Sequence, residues 1–283
     1  MPILFADDSS LFVQGKDINA MTETLNSELT HIYNWVNANK LSLNIKKTNC
    51  MLFRSMRKQV LTDFQIKIAG KRIQKVEVTK FLGVIIDSKL SWIEHINFIR
   101  KKLAKAIGII FKARQCLNSH SLISLYYSIV YPYLNYGIEV WGSVPKTHLI
   151  PLHTLQNRIL RIISFSPRRH SSHPLFVRYK ILDIDRIYVY KVALFMFKLQ
   201  KKECPQVFNS MFHANSEYHL HDTRSKDKLH LPLFKSTFCQ RFLKYKGVVI
   251  WNFLSDVLPI KYTIPTIKVH LKKYLLFNKL NFL

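Results

Sequence analysis

Ile3-Leu4-Phe5-Ala6-Asp7-Asp8-Ser9-Ser10-Leu11-Phe12-Val13 sets two adjacent carboxylates between two short apolar runs. If both runs are strands, Asp7 and Asp8 fall at the tight turn of a β-hairpin. Side chains alternate along a strand, so the two carboxylates point in different directions. One of them can then face a metal ion at the hairpin tip while its neighbour serves a second ion or supports the first. Hard divalent cations such as Mg²⁺ take oxygen ligands, and a pair of them held by carboxylates can stabilise both oxygens of an in-line phosphoryl displacement. Taken locally, Asp-Asp-Ser-Ser is more commonly plain turn chemistry, because Asp and Ser hydrogen-bond to nearby backbone groups. The rest of the chain decides between the two.

The chain has 283 residues, 48% of them hydrophobic, enough for real cores and for one large or two modest domains. Its 43 Lys and Arg against 17 Asp and Glu give a formal charge of +26. Such an excess repels itself unless the natural partner is a polyanion, and nucleic acid is the first candidate. A membrane is the other, but no apolar run approaches the roughly 20 residues needed to span a bilayer. The most apolar stretch, Ile181 to Leu199, carries Asp183, Asp185, Arg186 and Lys191 and reads as an ordinary amphipathic helix. The amino terminus lacks the succession of a signal peptide, so an intracellular protein, nuclear or cytoplasmic and not secreted, is expected. Cys50, Cys116, Cys204 and Cys239 are scattered, with no Cys-x-x-Cys pair, and suit reduced thiols. A zinc site from Cys204, Cys239, His213, His219 and His221 matches no standard finger or knuckle spacing.

Asn19 or Asp17 can cap a helix with apolar positions Met21, Leu25, Leu29, Ile32 and Val36. Leu41 to Ile45 then alternates strictly like a strand, Lys46-Lys47-Thr48 follows, and Cys50 to Phe53 is a second apolar stretch. Strand, helix, strand, strand makes this part α+β. Phe64 to Ile68 alternates again, Ala69-Gly70-Lys71-Arg72 supplies a turn, and Ile73 to Val76 can return as the partner strand. Phe81 to Asp87 reads as one continuous apolar strand whose Gly83 lets another backbone or a ligand approach. Ser91-Trp92-Ile93-Glu94 is a capping box for a helix to about Ala113. Its outer face carries Arg100, Lys101, Lys102, Lys105, Lys112 and Arg114, with Glu94 the one acid in the stretch. Charges of a single sign have no partners on the helix to relieve their repulsion, and contact with a sugar–phosphate backbone is preferred over a merely solvated face.

Leu122 to Val130 forms a further helix that Pro132 stops, and the aromatic run Tyr131 to Gly142 is read as core rather than as a base-stacking surface. Leu149, Leu152, Leu155, Ile159, Ile162 and Ile163 mark an amphipathic helix. Ser166-Pro167-Arg168-Arg169-His170-Ser171-Ser172 breaks it, and a domain boundary is expected near residue 170. Helices follow around Ile184 to Lys198 and Ile267 to Leu276, with a less regular stretch beyond Cys204-Pro205.

Phe5-Ala6-Asp7-Asp8 resembles the catalytic hairpin of reverse transcriptases, and later segments fall in the order of the non-LTR retrotransposon branch, the jockey and CR1 type. Trp35, Asn39, Leu41, Leu43, Asn44, Lys47, Thr48 and Phe53 are similar to the segment after that hairpin. The resemblance implies that Lys47, or Lys46 beside it, lies near the incoming nucleotide and assists pyrophosphate departure. Phe81-Leu82-Gly83-Val84, with Leu90, Trp92, His95 and Ile96, resembles the family's Phe-Leu-Gly-Val hairpin, the primer grip, which implies that Phe81, Leu82 and Gly83 hold the growing strand. Pro132 to Gly142 is similar to the family's Pro-x-Leu-x-Tyr-Gly-x-x-x-Trp-Gly segment, and Gln156-Asn157-Arg158-Ile159-Leu160-Arg161 is again similar to the family. Thr223-Arg224, Leu229 to Pro232, Gly247, Trp251-Asn252 and Leu258-Pro259 resemble its terminal signature, with a longer gap than usual before Leu258.

The resemblance implies an α+β partial palm over 1–90, an antiparallel sheet with a packed helix. A mostly α-helical thumb-like region follows over 91–170, then a mostly helical carboxy-terminal domain over 171–283. It implies RNA-directed DNA synthesis, with Mg²⁺ or Mn²⁺ on Asp7 and Asp8, and with an RNA template, a DNA primer and dNTPs as partners. A palm polymerase needs one more metal-binding Asp from an earlier strand, and fingers, and neither has a match here. The expectation is therefore a truncated copy, inactive alone. The alternative is a non-catalytic RNA- or DNA-binding protein derived from a retroelement.

Overall fold

Asp17 begins the first long element by accepting from the N–H groups of Asn19 and Ala20, both at 3.2 Å. It is the N-cap of α1 (Ile18–Ala38), and it satisfies donors that the first helical turn leaves open. The computed structural model describes residues 2–6, 8–55, 64–218, 226–255, 257–258 and 261–278. Asp7, His219, His221, Thr223, Arg224 and Pro259 lie outside the described residues. The chain divides into two units, Met1–Glu94 and His95–Leu283.

In the first unit, β1 (Pro2–Phe5) pairs antiparallel with β2 (Asp8–Leu11), Phe5 opposite Asp8. Leu25, Leu29 and Tyr33 of α1 pack on a small core of Ile66, Ile68 and Ile73. Asn26 completes that contact with hydrogen bonds, accepting from Lys67 N at 2.9 Å and donating to Gln65 O at 3.2 Å. An edge strand thereby finds partners for its backbone groups in a helix side chain.

The other strands are short: β3 (Asn49–Cys50), β4 (Lys67–Ile68), β5 (Lys71–Arg72), β6 (Gln74–Lys75), β7 (Val78–Phe81) and β8 (Val84–Asp87). β4 pairs antiparallel with β5, β7 antiparallel with β8, and β3 parallel with β6.

Several expectations change here. Leu41 to Ile45 is not a strand, because Asn44 draws the chain into a turn, its side chain and carbonyl both accepting from Lys47 N, at 3.2 and 3.0 Å. The chain does turn back after Ala69-Gly70, but the returning strand begins earlier than expected: Lys71 and Arg72 pair with Ile68 and Lys67, Ile73 N donates to Ile66 O at 2.8 Å, and only Gln74 and Lys75 leave this hairpin, to pair with Asn49 and Cys50. Phe81 to Asp87 is not the one strand its apolar run suggests but the turn and second strand of a hairpin, folded at Leu82 (φ 45°) and Gly83 (φ 83°), in keeping with the resemblance to a Phe-Leu-Gly-Val hairpin. A two-residue turn with both φ positive matches the twist of the strands it joins; glycine takes it freely and leucine under strain.

In the second unit, α2 (Ile93–Ala113) contributes its residues from His95 onward. It is followed by α3 (Ser119–Ile129), α4 (Tyr131–Asn135), α5 (Ile138–Trp141), α6 (Lys146–Ile163), α7 (His173–Arg178), α8 (Ile184–Gln200), α9 (Leu243–Leu254) and α10 (Ile264–Phe277). α8 is the central element, with α4, α5, α6, α9 and α10 packed around it. It is not an ordinary amphipathic helix, because Ile187, Val189, Val192, Ala193, Met196 and Phe197 are buried on nearly all its faces. Asp183 caps it, accepting from Arg186 N at 2.9 Å, and so pulls two charges to its end rather than its side. α3 ends at Ile129, as expected ahead of Pro132, and the proline itself sits in the first turn of α4, where its missing N–H costs nothing.

Residues 164–172, expected as a linker, form the loop between α6 and α7 inside this unit. Gln156 of α6 is buried and donates to Tyr126 Oη and Leu182 O, each at 2.9 Å, while accepting from Ile184 N at 3.1 Å. Among the described residues, no helix is long and apolar enough to cross a membrane.

Candidate nucleic-acid interface

Asp8 opens β2 with its side chain exposed, and beside it β1 exposes Leu4 to 73% and Phe5 to 61%. Lys47, like Lys46, is exposed in the turn that Asn44 organises, and Thr48 Oγ1 donates to Asn44 O at 3.0 Å. Among the described residues, no group of three or more His, Cys, Asp and Glu side chains gathers to hold a metal ion. Asp8 stands at the start of β2 and Lys47 in the turn that Asn44 organises, both exposed, with Asp7 outside the described residues.

Phe81, Leu82 and Gly83 form the tip of the β7–β8 hairpin, the first two half-buried. The base of that hairpin depends on a residue whose role the sequence did not give away. Asp87 is buried, and its carboxylate accepts from Lys89 N (3.1 Å), Ser91 N (3.0 Å), Ser91 Oγ (3.1 Å) and Trp92 N (2.8 Å). These bonds hold Leu90 (φ 51°) and Trp92 (φ 63°) in left-handed backbone and set the entry to α2. The capping box expected at Ser91 is thus replaced, because the Ser91 hydroxyl donates to Asp87 and accepts from Ile93 N at 3.4 Å. An Asp ending a strand a few residues before Ser-Trp was the available signal. Ser88 adds a second tie, its hydroxyl donating to Glu77 and its carbonyl accepting from Arg54 N at 3.1 Å.

Within α2, Ile96, Ile99, Leu103, Ala106 and Ile110 are buried. At 3.6 residues per turn, Lys101, Lys105 and Lys112 fall on the opposite face, all exposed. Gly108 lies in the same stripe, and a Cβ added there would meet nothing within 4 Å, so the face is open to close approach. Arg100 is exposed on one flank. Lys102 is half-buried, its ammonium 5.4 Å from the Phe98 ring centroid and 5.8 Å from that of Tyr133, and Arg114 lies 4.5 Å over Phe165. The six cations expected to act together thus divide into four that point outward and two that rest on aromatic rings.

The acids of this unit lie elsewhere. Between Glu94 and Asp183 the sequence holds one acidic residue, Glu139, and it pairs with Lys191 at 3.2 Å. Asp183 pairs with Arg186, Asp185 with His153 at 3.0 Å, and Glu217 with His213 at 2.8 Å. After its first turn α2 has no acidic side chain to balance its lysines.

The aromatic segment is core only in part: Trp141 is buried, Tyr131 and Tyr133 are half-buried, and Tyr136 is exposed. Trp141 is 0% exposed and donates from Nε1 to Tyr136 O at 2.9 Å, while Leu134 and Ile138 are buried beside it. Gly137 adopts φ 60°, and a Cβ on Gly142 would lie 2.5 Å from the Tyr188 ring and 2.6 Å from Ile138 O. Both glycines are therefore steric requirements of the Trp141 site. His95 meets the Trp141 ring edge-on at 5.3 Å, and burial pushes its pKa down to about 4, which leaves it neutral at physiological pH. Asn252 similarly serves packing, donating to Leu229 O at 2.8 Å and accepting from Leu229 N at 3.0 Å.

The chain is 29% identical over 167 residues to the RNA-directed DNA polymerase from mobile element jockey of Drosophila melanogaster, covering 58% of this chain and 18% of that protein. It is 22% identical over 163 residues to the probable RNA-directed DNA polymerase from transposon X-element of the same species, covering 56% of this chain and 18% of the relative. A third relative, the retrovirus-related Pol polyprotein from type-1 retrotransposable element R1 2 of Nasonia vitripennis, is 26% identical over 108 residues, 36% of this chain and 26% of its own length. This chain is a homologue of non-LTR retrotransposon reverse transcriptases. It spans under one fifth of the jockey and X-element polymerases it matches. No family model and no solved structure matches it. The order of motifs read from the sequence and the reverse transcriptase relatives point to the same family.

Proposed function

We propose that this chain belongs to the part of a retrotransposon polymerase that carries the catalytic carboxylates and grips the nucleic acid, and that the reaction it serves is RNA-templated DNA synthesis. The single observation that carries the binding half is the outward stripe of Lys101, Lys105 and Lys112 on α2, open at Gly108 and without an acidic neighbour beyond the helix's first turn. A polyanionic backbone would neutralise it and release counterions.

The catalytic half rests on Asp8 at the start of β2, exposed and next in sequence to Asp7. An exposed carboxylate at a hairpin end fits a hard divalent cation. Asp7 and Asp8 are the residues that would hold Mg²⁺ or Mn²⁺, which when bound would activate a primer hydroxyl and neutralise the triphosphate. Lys47 would stand by the leaving pyrophosphate, and the Leu82-Gly83 tip would touch the primer. In this reading the first unit is palm-like and α2 begins a thumb.

Primer extension on an RNA template, with the polypeptide that contains this chain, tests the catalytic half. Asp8→Ala is expected to abolish incorporation while leaving primer–template binding within about twofold. Undiminished incorporation by Asp8→Ala would remove the carboxylate from the reaction. A second reading, non-catalytic binding by a retroelement-derived protein, is favoured by the basic face of α2, which needs no metal ion to hold a polyanion. It predicts tight, salt-sensitive binding with no extension by the unaltered polypeptide.

A further inference from the structure

Residues 164–172 join α6 to α7 and contain Arg168-Arg169-His170-Ser171, a segment to which the polymerase reading gives no task. We propose that Ser171 is a phosphorylation site for a serine/threonine protein kinase with an acidic substrate groove, and that the added phosphate weakens this unit's grip on nucleic acid. Its second half rests on the nucleic-acid reading above.

Kinases of that class read basic side chains two and three positions before the acceptor, and guanidinium groups suit carboxylates through bidentate hydrogen bonds. Arg168, Arg169, His170 and Ser171 are all exposed. No acidic residue lies between Glu139 and Asp183 to oppose such a groove. Two hydrogen bonds hold the segment folded, His170 N to Pro167 O at 3.0 Å and Arg161 Nε to His170 O at 2.7 Å. Each contributes about 1 kcal/mol net, so extending the loop into a kinase costs far less than unwinding a helix.

Among the described residues, three other hydroxyls with basic residues upstream are less available. Ser164 follows Arg161 but donates to Arg161 O (3.2 Å) and Ser166 Oγ (2.8 Å). Thr48 follows Lys46-Lys47 but donates to Asn44 O at 3.0 Å. Ser172 is half-buried, and its carbonyl accepts from Leu175 N and Phe176 N at the start of α7.

In the reaction Ser171 Oγ attacks the γ-phosphorus of ATP, the bond from that phosphorus to the β,γ-bridging oxygen breaks, ADP leaves, and the hydroxyl proton passes to the kinase's base. The product carries about −1.5 to −2 charge on the loop. The same loop holds Phe165, on which the guanidinium of Arg114, just after α2, is stacked 4.5 Å from the ring centroid, and a dianion on this loop opposes the approach of a polyanion to the same unit.

The purified full chain, incubated with the catalytic subunit of cyclic-AMP-dependent kinase and ATP and digested for mass spectrometry, provides the test. Phosphate is expected on Ser171 and absent from that position in Ser171→Ala, and Arg168→Ala with Arg169→Ala should slow its incorporation by more than about tenfold. Phosphate found only on other residues, or incorporation at Ser171 indifferent to both arginines, would overturn the site. The phosphorylated chain should bind a labelled RNA–DNA duplex about three- to tenfold more weakly at low salt, and unchanged affinity would overturn the regulatory half. A chain that takes phosphate at Ser171 but never bound the duplex would strike the nucleic-acid reading and leave the modification site standing.

Discussion

Of the buried apolar residues described, Val36, Ile66, Ile68 and Ile73 belong to the first unit, while those from Ile96 to Leu276 belong to the second. The first unit is built of strand pairs two to four residues long, joined by turns and tied by side chains such as Asn26 and Asp87. The second wraps helices around α8, whose faces are nearly all covered. A two-stranded hairpin is marginal by itself, whereas a helix buried on all sides is held by many neighbours at once. Stability should therefore reside in the second unit and local lability in the first.

The largest expected effect contrasts two phenylalanines. Phe197→Ala, at a fully buried position on α8, should cost about 3–5 kcal/mol in denaturant unfolding, while Phe5→Ala, on the exposed strand, should stay within about 0.5 kcal/mol. Equal costs would break the contrast. Next comes Asp87→Ala, which strips the acceptor from three backbone N–H groups and should cost about 2–3 kcal/mol. Hydrogen exchange should localise that loss to residues around Asp87 to Ile93, and uniform loss across α8 would count against it.

Gly142→Ala should cost about 1–3 kcal/mol in thermal melts by forcing Tyr188 off its seat. No change would mean that the α5–α8 packing yields more easily than its closeness implies. The smallest effect is a pH dependence. Burial draws His153 down, but the hydrogen bond and charge of Asp185 outweigh it and hold the imidazole above its ordinary pKa. A raised folded pKa gives stability that is complete below about pH 6.5 and lost as pH rises through the folded value. The pair is partly exposed, so the contribution should be under about 1 kcal/mol. The stability gap between the unaltered chain and His153→Gln should narrow from pH 6 towards pH 8.5; a gap that widens would reverse the sign.

Long periodic helices were legible because their apolar spacing survives into the structure, as at Met21 to Val36 and Leu149 to Ile163. Short β segments were not, since two or three residues of alternation say little about a partner. Leu41 to Ile45 alternated yet lost to the Asn44 turn, and at Phe81 to Asp87 the apolar pattern hid a hairpin that only the family resemblance implied, because leucine at positive φ is rare. The α2 basic face was readable residue by residue, but the division into outward Lys101, Lys105 and Lys112 and ring-stacked Lys102 and Arg114 depends on partners distant in sequence, Tyr133 and Phe165. The bracing role of Asp87 is not legible in the sequence because three of its partners are backbone N–H groups, which leave no mark in composition.

The binding of a fluorescein-labelled RNA–DNA duplex, followed by anisotropy across a KCl series, tests the nucleic-acid reading most directly. Replacing Lys101, Lys105 and Lys112 together by alanine should lower the slope of log affinity against log salt by about three, close to one for each phosphate no longer neutralised. A slope unchanged by the triple replacement would mean that α2 faces solvent and that its charges are not the grip on nucleic acid.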